Sequence, residues 1–168
     1  MRALGLRTVL PAGWRAGLAE VQTQGVFVTP PVGGWVFAVG RDVAERTADP
    51  GEVERRVAAL SEEFGAAFWF AADGEREVFG WARGERGRWV RAYAFAEELG
   101  HYLWHGEISA AEHALGCFRD DPRDRSDDDV KWWPDQAVVC AIAAAWARDP
   151  SQLTPDAAPA AAGFVGRL

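Results

Sequence analysis

Between Phe68 and His105 apolar and polar positions alternate with a period of two, and turn residues interrupt the alternation at short intervals. Phe68-Trp69-Phe70 ends at Asp73-Gly74, Glu77 to Arg83 ends at Gly84-Glu85-Arg86-Gly87, and Arg88 to Ala96 and His101 to His105 follow. This pattern predicts four antiparallel strands in a meander. Alternation places Phe79, Trp81, Trp89, Arg91, Tyr93 and Phe95 on one face. Val78, Gly80, Ala82, Val90, Ala92, Ala94 and Ala96 fall on the other.

Upstream, residues 1–10 read as a short strand or extended arm, and Trp14, Leu18 and Val21 form a weak helical stripe that Gly25 closes. Val26 to Thr29 and Trp35 to Val39 read as an antiparallel pair joined through Pro30-Pro31-Val32-Gly33-Gly34. Asp49-Pro50 opens a helix to about Phe64, with Val53, Val57, Leu60 and Phe64 on one stripe and Gly65 as terminator. Ser109 and Glu112 match a capping box, predicting a helix over 109–118. Arg119 to Val130 reads as a charged loop with six aspartates, and Pro134 to Ala147 as a last helix. The expected fold class is α+β: an antiparallel meander sheet of about six strands, with about three helices packed mainly on one face. Residues 1–148 are expected to form one domain and 149–168 a Pro/Ala-rich tail.

A formal charge of −7 argues against nucleic acid, whose binding draws on a basic patch, and suits a basic protein partner. With 49% hydrophobic residues the chain is not expected to be disordered, and no stretch has the length of a signal peptide or membrane span. A cytoplasmic location is expected, with no membrane association.

Candidate chemistry is sparse. His101 and His105 on one strand lie about 13 Å apart, too far to share a metal. His113 and Cys117 have helical spacing, but two ligands do not make a zinc site. The aspartate-rich stretch lacks the spacing and glycine of a calcium loop. No phosphate-binding glycine motif or nucleophile elbow occurs. Neither a metal nor a cofactor is therefore expected, and catalytic residues are not identifiable.

Arg91 interrupts the aromatic row. On a buried face its guanidinium must be paired, and Glu77 is the nearest candidate. On a surface its stem would cover apolar rings, and in a groove it would anchor a carboxylate, phosphate or aromatic group. The small residues suit close helix approach, so the aromatic face is expected to carry a partly open groove. Its candidate ligand-binding residues are Arg91, Trp81, Trp89, Tyr93 and Glu77.

The succession Val26-Phe27-Val28-Thr29-Pro30-Pro31, Gly34-Trp35-Val36, Leu60-Ser61-Glu62-Glu63-Phe64-Gly65 and Gly80-Trp81-Ala82 with Val90-Arg91-Ala92-Tyr93 resembles a group of uncharacterised bacterial proteins. The resemblance spans roughly residues 10–150 and implies a bacterial domain with no assigned activity. The function expected is that of an interaction module, inhibitory or immunity-type, binding a protein partner. The alternative is a small-molecule binder or biosynthetic enzyme working on the aromatic face.

Overall fold

The computed structural model describes residues 4–46, 49–118, 132–153 and 161–167. In chain order its elements begin with β1 (Arg7–Ala12), α1 (Trp14–Glu20), β2 (Val26–Val28), β3 (Ala38–Val39), α2 (Arg41–Arg46) and α3 (Pro50–Phe64). They continue with β4 (Ala66–Asp73), β5 (Val78–Glu85), β6 (Arg88–Ala96) and β7 (Gly100–His105). The last are α4 (Ala110–Ala114), α5 (Gln136–Trp146) and β8 (Gly163–Arg167). The class is α+β, but among the described residues the strands form two four-stranded antiparallel sheets in place of one sheet of six, with five helices in place of three. Contacts gather the chain into two units, residues 1–52 with 151–168, and residues 53–150.

In the first unit the strand order is β1-β8-β2-β3. Strand β8 lies inside the stretch expected as a tail. It pairs with both β1 and β2, setting Val165 opposite Leu10 and Phe27. Helix α1 packs Trp14 edge-on against Phe27, with ring centroids 6.0 Å apart. Gly17 is the residue that allows this approach, because a Cβ there would collide with the Phe27 ring. Val21, Val32 and Val165 complete the core. The antiparallel pairing of the strands after Gly25 is present between β2 and β3, in this sheet and not in the meander's.

The second unit holds the meander, in the order β4-β5-β6-β7. Helix α3 starts where Asp49 Oδ1 accepts the Gly51 N–H at 3.0 Å, and ends at Gly65, whose φ is +88°. It lays Val53 and Val57 on Ala82, Ala92, Ala94, Trp69 and Leu103. Its buried stripe passes through Ser61, while Phe64, expected inside, is 65% exposed. The reason is polar: Ser61 Oγ accepts the Gly87 N–H at 3.0 Å and donates to the Ala58 carbonyl at 2.9 Å, fastening the helix to the β5–β6 turn.

The aromatic face is covered as well. Val139 and Ile142 of α5 join Cys117 and Phe118 over Trp81, Tyr93 and Phe95. The expectation of helices on one face and an open groove on the other is thus corrected: α3 takes the small-residue face and α5 the aromatic one. Large rings do not exclude a helix here, because α5 brings alanines between its larger residues, with Ala143 fully buried.

Candidate functional site

Strand β6 is bulged. Arg83 is opposite Arg91, but Gly84 is opposite Trp89, so Val90 is the extra residue. The bulge turns Trp89 onto the small-residue face, against the α3 cluster, although alternation assigned it to the same side as Arg91. Glu77 also departs from expectation. It is an exposed residue preceding β5 with a φ of +47°. Of the five candidate residues, the structure brings together Arg91, Trp81 and Tyr93, and leaves Trp89 and Glu77 apart from them.

The partner of Arg91 is Glu112, not Glu77. Both side chains are almost fully buried, at 2% and 0% exposure. Arg91 Nε donates to Glu112 Oε1 and Oε2 at 2.9 and 3.0 Å, and Nη2 donates to Oε1 at 2.7 Å. Nη1 donates to the carbonyls of Ala92, His105 and Gly106 at 3.1, 3.0 and 3.3 Å. The guanidinium carbon lies 4.0 Å from the Trp104 ring centroid, a cation–π contact in a dry setting. Glu112 Oε1 also accepts the Trp81 indole N–H at 2.8 Å, and Oε2 accepts the Ser109 N–H at 2.7 Å. The capping box is therefore present, but its glutamate turns inward and carries a second duty as counter-ion. Helix α4 is shorter than expected, ending at Ala114, and Cys117 N–H returns to the Glu112 carbonyl at 3.0 Å.

Burial pushes the Glu112 carboxyl up, but the hydrogen bonds and charge of Arg91, with the bonds from Ser109, hold it below the usual carboxylate value. Cys117 moves the other way: burial and the Glu112 charge push its thiol up to about 12. A thiol that stays protonated at neutral pH is a poor nucleophile, so Cys117 is not poised to act as one. Burial also raises the Tyr93 hydroxyl, which lies 2.8 Å from His101 Nδ1.

Outward from this centre the aromatic layer reaches the surface. His101 stacks on Trp133 with centroids 5.3 Å apart and planes 17° from parallel, and Phe95 meets the same indole edge-on at 5.2 Å. Trp133 is 46% exposed, and Leu99, in the β6–β7 turn, is 65% exposed. Trp133 follows the aspartate-rich stretch in the chain; that stretch, within 119–131, lies outside the described residues. A second feature is a cleft of about 400 Å³ lined by Arg83, Ser109, Ala110, Ala111, Ala145 and Trp146. There Arg83 pairs with Glu85 and its guanidinium lies 5.9 Å from the Trp146 centroid.

Glu112, Trp133 and the Arg83–Trp146 cleft were not singled out from sequence. For Glu112 a signal existed, since a capping-box glutamate on an apolar helix sits near the core. The cleft arises only when α5 meets β4 and β5, and the setting of Trp133 only when it meets Phe95 of β6 and His101 of β7. Among the described residues there is no cluster of three metal-ligating side chains, and no helix is long and apolar enough to cross a membrane. Comparisons with protein-family models, with curated proteins and with solved structures find no match to this chain.

Proposed function

We propose that the chain is a non-catalytic interaction module, of inhibitory or immunity type, that binds a basic protein partner in a bacterial cytoplasm. The observation that carries this reading is Trp133. It is a large indole left half in solvent yet stacked on His101 and met edge-on by Phe95. A pre-ordered, partly exposed tryptophan is the usual form of an interface anchor. Six aspartates precede it within residues 120–129, and the whole chain carries −7, so a partner bearing Lys or Arg beside an apolar pocket would meet both features. The Arg91–Glu112 pair, sealed from solvent, is not itself a contact in this reading.

The test is capture from lysate of the native host with the intact chain and with Trp133→Ala, followed by titration of the purified partner in rising salt. Binding weakened about tenfold or more by Trp133→Ala at unchanged melting temperature, and weakened by salt, is expected. Equal binding by the variant overturns the assignment.

The cleft supports a second reading, a small-molecule site. Its arginine and indole would hold a planar anion, and Arg83→Ala would then abolish binding of such a ligand while Trp133→Ala would leave it unchanged.

A further inference from the structure

The residues that line the Arg83–Trp146 cleft all lie within 53–150, so the cleft is built from one unit alone. Its volume of about 400 Å³ falls toward the small end of ligand cavities, which run from about 300 to 1,000 Å³. Three elements converge on it. Strand β5 contributes Arg83, the last turn of α5 contributes Ala145 and Trp146, and Ser109 to Ala111 close it from the α4 segment. The lining is mostly apolar, carries no acidic side chain and holds a single cation.

Arg83 reaches the cleft because pairing sets it opposite Phe68 of β4 and Arg91 of β6, on the face that α5 covers. Its guanidinium is held from one side. Nε and Nη2 both donate to one oxygen, Glu85 Oε1, two residues along the same strand. Among the described residues no acceptor meets Nη1, and the side chain is 35% exposed. The Nη1–Nη2 end of the fork therefore keeps parallel N–H groups, which match the two oxygens of one carboxylate. Glu85 does not cancel the cation here. Arg83 foremost, with Arg88 and Arg86 beyond it, acts on the Glu85 carboxyl and holds it below its ordinary value of 4.5. Three arginines thus surround one glutamate, a locally positive spot on a chain of net charge −7.

The lining also restricts the kind of anion. A phosphate brings more charge and more oxygens than one arginine edge can satisfy, whereas a carboxylate is matched by that edge alone. The indole and the alanines leave the remainder of the ligand in apolar surroundings, where a flat ring packs best. We infer that the cleft takes a small aromatic carboxylate, its two oxygens on the Nη1–Nη2 edge of Arg83 and its ring against Trp146. This rests on the second reading above, that the cleft is a small-molecule site, and narrows the planar anion to one chemical class.

Calorimetric titration of the intact chain with indole-3-acetate tests this, beside acetate, tryptamine and inorganic phosphate. Indole-3-acetate is expected to bind with a Kd of about 1 mM or tighter. Acetate lacks the ring and tryptamine carries an ammonium in place of the carboxylate, so each should bind at least about tenfold more weakly. Arg83→Lys keeps the charge but not the fork and should weaken indole-3-acetate at least about tenfold, while Trp133→Ala leaves it unchanged. Should Arg83→Lys not fold, the wild type decides the location: the Arg83 Nε–H and the Trp146 indole N–H should be the side-chain NMR signals that shift. Phosphate binding through Arg83 without indole-3-acetate binding overturns the aromatic carboxylate and leaves an anion site in the cleft. Failure of every probe overturns the inference together with the second reading. Binding of indole-3-acetate that Arg83→Lys leaves unchanged, or that shifts other indoles and not Trp146, overturns the placement.

Discussion

Arg91 gives up water on every side and recovers its hydrogen bonds from one carboxylate and three carbonyls. The Coulomb attraction of such a pair roughly offsets the cost of drying both ions, so its net contribution to stability is small. Removing one partner is a different matter, because the other charge stays buried and unpaired. Arg91→Ala should therefore cost about 3–5 kcal/mol in urea unfolding. Glu112→Ala should cost a similar amount, and the double variant clearly less than the sum of the two. Strictly additive costs in that cycle would show that the two side chains do not act as a unit. The same residue explains why the ligand anchor weighed from sequence finds no opening: all five of its N–H groups are directed at protein acceptors or enclosed with them.

At the scale of elements, Glu112 joins the sheet to α4, so the junction should respond to acid. The glutamate's ordinary value is 4.5, and in the folded chain it lies lower. The unfolded chain therefore takes up a proton at this group before the folded one does. The stabilisation is complete above about pH 4.5 and is lost as pH falls through the folded value. Unfolding free energy measured at about pH 7 and about pH 3 should drop more in the wild type than in Glu112→Gln, and equal drops would remove Glu112 from the account. Much of this architecture was legible. The meander follows from alternation and glycine-bearing turns, α3 from Asp49-Pro50 and Gly65, and α4 from its capping box, all of which are local signals. What was not legible depends on distant partners or on single-residue slips. The bulge at Val90 reverses Trp89 without altering composition. Glu112 reaches Arg91 only after β7 and the segment behind it have folded over. Strand β8, with two glycines in five residues after a Pro/Ala-rich run, has little intrinsic strand preference and owes its form to β1 and β2.

For the whole molecule, that last point decides how the chain's ends matter. Among the described residues the N-terminal strand β1 has no strand partner but β8, and β2 pairs with β8 on one side and the two-residue β3 on the other. Val165 also fills the core formed with Trp14, Phe27 and Val32. The second unit, by contrast, draws its sheet and both its apolar clusters from residues between Val53 and Leu103 and between Trp81 and Trp146. A chain ended at Leu153 lacks β8 and should lose the first sheet while keeping the second. In hydrogen exchange the amides of Val26 to Val28 and of β1 should become as fast as in an unfolded peptide, whereas those of Trp81 to Phe95 should stay protected. Loss of protection spreading equally over Trp81 to Phe95 would mean that the two units unfold as one. Persistent protection at Val26 to Val28 would mean that β8 is not what completes the first sheet.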